Sequence, residues 1–436
     1  MSKAGENVAV DVALACTAFI TCFFFLYYPM AVCPLLPGID GPYYAIQVSW
    51  LLEKGGLKYM DPPLAFYIMA LIVLLTGNLF EGVKLAASLV TSLAVFPTYA
   101  MMKRLTGSRA ASLAGSIAMV ANPFVVRMVS DFMKNSMGLL WLSTFLYFET
   151  AYIEEGRKQD LIGLLASFAL TLLTHILDYG VALLYASLLF LFSRGEKRKR
   201  ALVGFLVSIA SLALLVAAPF IVGGDIWKGL AFVEEFIESE EEVSIFMPNF
   251  IVQAIGIAST LFVATRLMRD KPALSALAFS SGLIVLGLNL PLIPKKWLFR
   301  FRLMTGVPLS HAAGSAVGVI RDNKGFVAAV LILTMVMTMG IQTYRVVRPS
   351  MPPEAYTELK HVLELLEEKG LTIVIPDTRV RYWAETLRED IYRDPQPHSA
   401  IILMKGRGKV PRGAIIYDGK FFIAFIHEAP PRRGPP

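Results

Sequence analysis

Long apolar runs follow one another along most of the chain, separated by short polar loops. Most runs have roughly 17 to 25 residues, the length that an α-helix needs to cross the hydrocarbon core of a bilayer. They cover about residues 8–32, 64–79, 84–102, 110–126, 136–153, 160–176, 179–193, 201–221, 249–266, 272–290, 303–320 and 325–344. The pattern predicts an α-helical polytopic membrane protein.

The loops between the runs predict its topology, because loops rich in Lys and Arg tend to stay in the cytoplasm. The basic loops are "KRLTGSR" at 103–109, "RGEKRKR" at 194–200, "RLMRDK" at 266–271 and "RDNK" at 321–324. The loop 222–248 contains seven acids and one lysine, so we expect it outside the cell.

All four basic loops fall on the cytoplasmic side only if the run 64–79 does not cross. That run has 16 residues, follows Pro62-Pro63 and ends near Gly77-Asn78. It therefore predicts a short helix that lies in the outer leaflet or dips into it. The chain then has about eleven crossings of the cell membrane, a cytoplasmic amino terminus and an extracytoplasmic carboxyl terminus.

Two segments outside the spanning runs have structure of their own. In the outward loop 33–83, "GPYYAIQVSWLLEKG" predicts a short helix at the membrane interface, where Tyr and Trp are favoured. After Tyr344, amphipathic helical patterns alternate with strand patterns and an Asp418-Gly419 turn. We predict a transmembrane domain at 1–345, a small extracytoplasmic α/β domain at 350–428 and a disordered tail at 429–436.

The composition of the chain indicates which kinds of molecule it binds. The chain is 56% hydrophobic and 17% charged, with a net charge of +7. Much of the positive charge lies in short loops, where it sets topology. We therefore expect membrane lipids as partners, and no nucleic acid.

The outward loop 291–302, "PLIPKKWLFRFR", has four cations on the side of the membrane where cations are disfavoured. Such cations suit an anionic ligand, since the Arg fork matches a phosphate group. Attraction to anionic lipid headgroups is the alternative. The candidates for phosphate binding in the outward loops are Arg300, Arg302, Lys295, Lys296, Lys134 and Arg127.

Two acids of the first outward loop, Asp40 and Asp61, are candidates for catalysis. A turn at Gly38 and Gly41-Pro42 presents Asp40, and Asp61 precedes Pro62-Pro63. Two such carboxylates suit a general base with a supporting acid or metal ligand. The alternatives are structural: an Asx turn or helix cap for Asp40, and an N-cap for Asp61.

Further outward polar residues are candidates for substrate contacts: Tyr43, Tyr44, Asp131, His175 and Asp178. In "LTHILDYG", His175 and Asp178 stand at i, i+3 where two short helices meet. The pair either lines a substrate cavity or closes the helix hairpin with a hydrogen bond. The same two alternatives hold for Asp131 and Lys134 in "VSDFMKNS".

These motifs resemble those of polytopic GT-C glycosyltransferases. The likeness is to the protein O-mannosyltransferase and aminoarabinose-transferase branch, with an acid in the first outward loop, a surface helix, and then a Pro-Pro-Leu run. Asp40 matches the catalytic carboxylate of that branch, and "DPPL" at 61–64 matches the run that opens its next membrane helix. The eleven-helix plan and the outer carboxyl-terminal domain are similar too, so the resemblance covers most of the chain.

The sequence also departs from that branch. The mannosyltransferases carry Asp-Glu where this chain has Asp40-Gly41, and the aminoarabinose branch has Lys where Asp61 stands. "DGPYY" is similar to the first-loop "DPYY" pattern of oligosaccharyltransferases, but "LDYG" at 177–180 lacks the tryptophans of their signature. The resemblance therefore assigns neither the sugar nor the acceptor.

The resemblance implies an inverting enzyme that moves a sugar from a dolichyl- or polyprenyl-phosphate-linked donor to a hydroxyl of a protein, lipid or glycan acceptor. Asp40 is then the general base, and Asp61 orients the acceptor or binds Mg²⁺ or Mn²⁺; no other cofactor is expected. Two alternatives stay open. One is a transporter or flippase for a lipid-linked sugar or another anion, and the other is a metal-dependent enzyme like the oligosaccharyltransferases.

Overall fold

The computed structural model describes residues 3–222, 250–267, 270–290, 293, 295–320, 323–394, 399–406 and 414–426. Contacts divide the chain into two compact units. The helical unit comprises Met1–Ala31 and Tyr59–Val347, and the second unit comprises Val32–Lys58 and Arg348–Pro436. The contacts thus group part of the first predicted outward loop with the carboxyl-terminal residues. Most of the predicted acidic loop, from residue 223 on, and the predicted tail lie outside the described residues.

The helices of the helical unit are joined by short loops. Numbered in chain order through both units, they are α1 Lys3–Ala31, α3 Leu64–Thr76, α4 Leu79–Leu93, α5 Val95–Thr106, α6 Arg109–Val120, α7 Pro123–Asp131, α8 Met133–Glu155, α9 Lys158–Thr174, α10 Ile176–Phe192, α11 Gly195–Val222, α12 Phe250–Leu267, α13 Pro272–Leu288, α14 Lys295–Leu303, α15 Gly306–Val319 and α16 Asn323–Thr343. A short 3₁₀ turn, Tyr344–Val346, follows α16.

The short helix predicted after Pro62-Pro63 is present as α3. Gly77 ends it with φ of 66°, a left-handed conformation that glycine adopts without strain. Asn78 then begins α4, its side chain accepting a hydrogen bond from the Glu81 backbone N–H. With 13 residues, α3 rises about 20 Å, less than the roughly 30 Å of a bilayer core.

Two predicted spanning runs are each divided into two helices. Ala94 separates α4 from α5. Between α6 and α7, Asn122 precedes Pro123 and accepts a hydrogen bond from the Val125 backbone N–H at 3.0 Å. Proline lacks the N–H that would continue the preceding helix, which explains the second break.

Several described segments are long and apolar enough to cross a membrane. Four qualify by length and composition within the described part of the chain: Asn7–Ala31, Leu79–Thr106, Arg109–Asp131 and Asn323–Val346. Shorter apolar helices accompany them, including α3, α10 and α13. The chain is a multi-pass membrane protein, and the number of eleven crossings stays a prediction.

Two kinds of contact join helices of the helical unit: the close approach of two glycines, and hydrogen bonds to one acid, Asp11. A Cβ added to Gly314 of α15 would lie 3.1 Å from the Cα of Gly115 in α6, so these two helices approach closely. In α1, Asp11 accepts hydrogen bonds from Arg109 Nε at 2.8 Å, Lys103 Nζ at 3.1 Å and the Tyr99 hydroxyl at 3.1 Å. This acid therefore fixes the first helix to the first basic loop.

The basic loops lie close to one another in the helical unit. Lys271 Nζ donates a hydrogen bond to the Thr106 carbonyl at 2.7 Å. Lys197 Nζ lies 2.6 Å from Glu154 Oε2, and Arg104 pairs with Glu155. Residues of three of the four basic loops thus lie at one end of this unit, and the side of the membrane on which they lie stays a prediction.

The second unit contains helix α2 Gly41–Lys54 and the carboxyl-terminal elements. These are α17 Pro353–Glu368, β1 Thr372–Val374, α18 Thr378–Glu385, β2 Ile391–Tyr392, β3 Ser399–Met404, β4 Ile415–Asp418 and β5 Phe422–Ile426. The strands form one sheet in the order β2-β1-β3-β5-β4. Pairing is parallel for β1 with β2 and β3, and antiparallel for β5 with β3 and β4. The predicted helix at 41–55 and the Asp418-Gly419 hairpin are confirmed, whereas the two-residue β2 was not predicted.

Candidate functional site

Lys134 and Asp61 form an ion pair inside the helical unit. Lys134 lies in the first turn of α8, is only 7% exposed and places its Nζ 5.4 Å from the ring centre of Phe66 in α3. Asp61 is not the N-cap of α3, because Pro63 takes that position. The acid and the cation that the sequence predicts separately are therefore one paired group.

The next residue of α8, Asn135, connects this pair to the hairpin between α9 and α10. Asn135 Nδ2 donates a hydrogen bond to Asp178 Oδ2 at 2.8 Å, and both side chains are buried. His175 Nδ1 lies 3.3 Å from the same carboxylate oxygen, without the alignment of a hydrogen bond. The His–Asp contact predicted from "LTHILDYG" is present, and Asn135 is a third member of it.

Space for the Asp178 carboxylate depends on a glycine of α8. A Cβ added to Gly138 would lie 2.3 Å from Asp178 Oδ2, which is far closer than atoms can approach. Asp178 Oδ1 has no hydrogen-bond partner among the described residues, although the side chain is fully buried. A buried carboxylate oxygen of this kind is a candidate acceptor for a ligand hydroxyl.

Two arginines and three aromatic rings form a second cluster, on α7, on α14 and at Phe132 between α7 and α8. The Arg300 guanidinium lies 4.9 Å from the ring centre of Trp297 and 5.4 Å from that of Phe132. Arg127 stacks on Phe299 at 5.8 Å, and the Phe132 and Phe299 rings are 6.0 Å apart. Cation–π stacking orients a guanidinium while leaving its N–H groups to bind an anion.

The cations of this cluster differ in their partners. Arg127 pairs with Asp131 one turn later in α7, so this Asp holds an arginine. Arg300 is exposed and forms no ion pair with any acid that the structure describes. Its guanidinium lies over Phe132, which is two residues before Lys134 in the chain.

The other cations of the loop 291–302 lie on α14 as well. Burial lowers the pKa of Arg302, although a guanidinium stays charged at neutral pH. Its Nε is buried without a hydrogen-bond partner among the described residues. Lys295 and Lys296 form the first turn of α14, and their side chains lie outside the described part of the structure.

Asp40 belongs to the second unit. It precedes α2 at the N-cap position, but its side chain makes no capping hydrogen bond to that helix. The turn before it is held by the Gly38 backbone N–H, which donates to the Arg348 carbonyl at 3.0 Å. The predicted turn at Gly38 is present, and the alternative role of a helix cap does not hold for Asp40.

Aromatic residues surround the start of α2. The Tyr43 ring packs against Tyr44 at 5.8 Å and against Tyr382 of α18 at 6.1 Å between ring centres. Gln47 Nε2 donates a hydrogen bond to the Tyr43 hydroxyl at 3.1 Å. Burial raises the pKa of Tyr382; Arg381 opposes this rise, and the negative charges of Glu385 and Asp40 add to it.

The described residues contain no group of three His, Cys, Asp or Glu side chains placed to hold a metal ion. Asp61, one of the two predicted metal ligands, is paired with the Lys134 ammonium, whose charge repels a divalent cation. Its donor set therefore does not fit Mg²⁺ or Mn²⁺, which prefer several oxygen ligands.

Sequence reasoning missed two residues that the structure places at these clusters. Asn135 follows Lys134 directly, and the scarcity of Asn in an apolar chain was the available signal. Tyr382 contacts Tyr43 from a helix more than three hundred residues later in the chain, and no local pattern indicates that contact.

Comparison with known proteins gives a family match over part of the chain and several structures of similar fold. Residues 60–222 match the family model described as dolichyl-phosphate-mannose-protein mannosyltransferase. The matched segment contains Asp61, Arg127, Lys134 and the α9–α10 hairpin. No curated protein has a sequence that matches the chain significantly.

Solved structures show a similar fold. ArnT from Cupriavidus metallidurans bound to undecaprenyl phosphate has a TM-score of 0.60 at 12% identity, over 97% of this chain and 98% of that one. Its apo structure has a TM-score of 0.60 at 14% identity, over 98% of each chain. The Archaeoglobus fulgidus oligosaccharyltransferase, in complex with Zn and sulfate, has a TM-score of 0.59 at 13% identity over 86% of this chain. The chain spans only 62% of that oligosaccharyltransferase.

Proposed function

We propose that this chain is a membrane glycosyltransferase of the GT-C type. It moves a sugar from a polyprenyl- or dolichyl-phosphate carrier to a hydroxyl group of a protein, lipid or glycan, on the extracytoplasmic side of the cell membrane. The observation that carries this proposal is the cation cluster of the helical unit. Lys134, Arg127 and Arg300 come from three helices, and each of them lies over an aromatic ring.

The cluster supports a lipid-phosphate ligand for two reasons. Lys134 is buried in the helical unit, and an ionisable group at such a place is a candidate for function because its burial is costly. A similar fold has been solved with undecaprenyl phosphate. We assign the phosphate to Arg300 and Lys134, with Arg127, Arg302, Lys295 and Lys296 as further contributors.

In the proposed reaction, Asp40 removes the proton from the acceptor hydroxyl as its oxygen attacks the anomeric carbon. The bond from that carbon to the phosphate oxygen breaks, and the lipid phosphate leaves with the bonding electron pair. Cations placed in advance stabilise the charge that develops on the leaving oxygen. A single displacement inverts the anomeric configuration. We assign Asp61 to hold the Lys134 ammonium, while Tyr43, Tyr44, Asp178 and His175 contact the sugar or the acceptor.

Asp40→Asn tests the proposal, because it removes the base and keeps the shape. We expect transfer from dolichyl-phosphate mannose to fall about 10²- to 10⁴-fold while undecaprenyl phosphate still binds. Transfer at the wild-type rate would show that Asp40 is not the base. A protein that moves lipid-linked sugar across vesicles without transfer would be a flippase. Loss of transfer on adding EDTA would favour the metal-dependent alternative.

A further inference from the structure

Residues near both ends of helix α2 contact the carboxyl-terminal helix α18. Lys58, four residues after α2 ends, places its Nζ 2.7 Å from Glu385 Oε2. The pair is well buried, with the two side chains 19% and 4% exposed. Arg381 Nε lies 3.4 Å from the other oxygen of the same carboxylate, so Glu385 holds two cations.

Contacts with the carboxyl-terminal residues flank Asp40 on both sides. Two residues before it, Gly38 bonds to the Arg348 carbonyl and forms a parallel bridge with Pro349. Three residues after it, Tyr43 packs against Tyr382. Burial raises the pKa of Tyr382, and the negative charge of Asp40 adds to that rise.

We infer that the carboxyl-terminal residues position Asp40, with the Lys58–Glu385 ion pair and the Tyr43–Tyr382 contact as the two positioning interactions. This inference rests on the proposed function, in which Asp40 is the base. A base must lie within hydrogen-bond reach of its proton, and a misplacement of about 1 Å can cost 10²-fold in rate. The segment around Asp40 is short and packs against α18. Loss of the contacts with α18 should therefore change the position of the Asp40 carboxylate.

The test compares three variants of lysines that lie within five residues of each other. Lys58→Met removes the buried ion pair, Lys58→Arg keeps it, and Lys54→Met removes the exposed pair with Glu389, whose side chains are 49% and 43% exposed. The rate of hydrogen exchange of the backbone amides at 38–54 reports how often this segment opens. The rate of transfer from dolichyl-phosphate mannose reports how these contacts affect catalysis. The affinity for undecaprenyl phosphate reports whether they affect binding of the lipid phosphate.

We expect Lys58→Met to speed exchange across 38–54 and to lower kcat about 10- to 100-fold, with unchanged affinity for undecaprenyl phosphate. Lys58→Arg should restore both, and Lys54→Met should behave as the wild type. Wild-type exchange in Lys58→Met overturns the inference, and so does faster exchange with unchanged kcat. Equal losses in kcat and in phosphate affinity also overturn it, because they indicate general destabilisation.

Tyr382 provides an independent pair of variants. Tyr382→Phe keeps the ring that contacts Tyr43, whereas Tyr382→Ala removes it, so only the second should lower kcat and speed exchange. If the wild type transfers no sugar from any lipid phosphate, the proposed function fails. The exchange results of the Lys58 and Tyr382 variants then still decide whether the carboxyl-terminal residues hold the segment that contains Asp40.

Discussion

Lys134 of α8 pairs with Asp61, the residue directly before the Pro-Pro that precedes α3. In the aminoarabinose branch that this sequence resembles, the position before Pro-Pro holds a lysine. Here an acid takes the position before Pro-Pro, and it pairs with a lysine of another helix. A lone lysine carries one positive charge, whereas this pair is neutral overall, so the motif alone assigns no substrate.

The first prediction concerns the Lys134 ammonium. We expect Lys134→Met to weaken the binding of undecaprenyl phosphate by about 10- to 100-fold, since hydrogen bonds to charged groups contribute about 1.5–3 kcal/mol. Isothermal titration in detergent measures this affinity. Lys199→Met is the matched control, because Lys199 is a lysine of a basic loop with a side chain that is 76% exposed. Equal affinity in the two variants would remove Lys134 from the phosphate site.

A second prediction separates the charge of Arg300 from its planar shape. Arg300→Lys keeps the charge but loses the stacking on Trp297 and Phe132, and Arg300→Ala loses both. We expect the affinity for undecaprenyl phosphate to fall in both variants, and further in Arg300→Ala. Arg345→Ala, at an exposed arginine after α16, should bind as the wild type does. If Arg300→Ala matched that control, the stacked guanidinium would have only a structural role.

Gly138 and Gly180 give a third prediction, on stability. Gly138→Ala places a Cβ against the buried Asp178 carboxylate, and overpacking of this kind costs about 1–3 kcal/mol. A Cβ at Gly180, in α10 with Asp178, would have no heavy atom within 4 Å other than those of its chain neighbours and of the nearby backbone of its own helix. Gly180→Ala should therefore leave stability unchanged or raise it by up to about 1 kcal/mol. Thermal unfolding in detergent compares them, and equal midpoints would contradict the close contact.

The fourth prediction addresses the topology of α3. In a background with Cys16, Cys22 and Cys33 replaced by alanine, we introduce Thr76→Cys at an exposed position at the end of α3. If α3 does not cross, an impermeant maleimide added to intact cells labels this cysteine. Lys199→Cys, in a predicted cytoplasmic loop, should react only after the membrane is opened. The reverse pattern at residue 76 would mean that α3 spans the bilayer.

Residues that restrict or free the backbone at their own position made helix ends in the helical unit predictable from the sequence. Pro62-Pro63 and Gly77-Asn78 predict both ends of α3, because proline and glycine act on the backbone at their own positions. The apolar run 110–126 was predicted as one helix although Asn122-Pro123 divides it. The Asn122-Pro123 pair is a local signal for a helix break, but the high hydropathy of the whole run 110–126 led to the prediction of a single helix.

The residues of the candidate site were predicted less completely. Asp61 and Lys134 were each predicted as functional, but the sequence does not show that they pair, because that contact depends on how α3 and α8 pack. Tyr382 was not predicted, since its place beside Tyr43 follows from the docking of α18 on α2. Distant contacts of this kind come from tertiary packing, to which one sequence gives no direct access.

The Lys58–Glu385 ion pair joins positions 327 residues apart. At a synthesis rate of about 5–20 residues per second, roughly half a minute separates the two side chains on the ribosome. During that interval the segment around Asp40 has left the ribosome without the helix that holds it. If that helix positions the base, catalysis begins only when the end of the chain has folded. A shortened product of translation that ends before α18 would then insert into the membrane without the contacts that position Asp40.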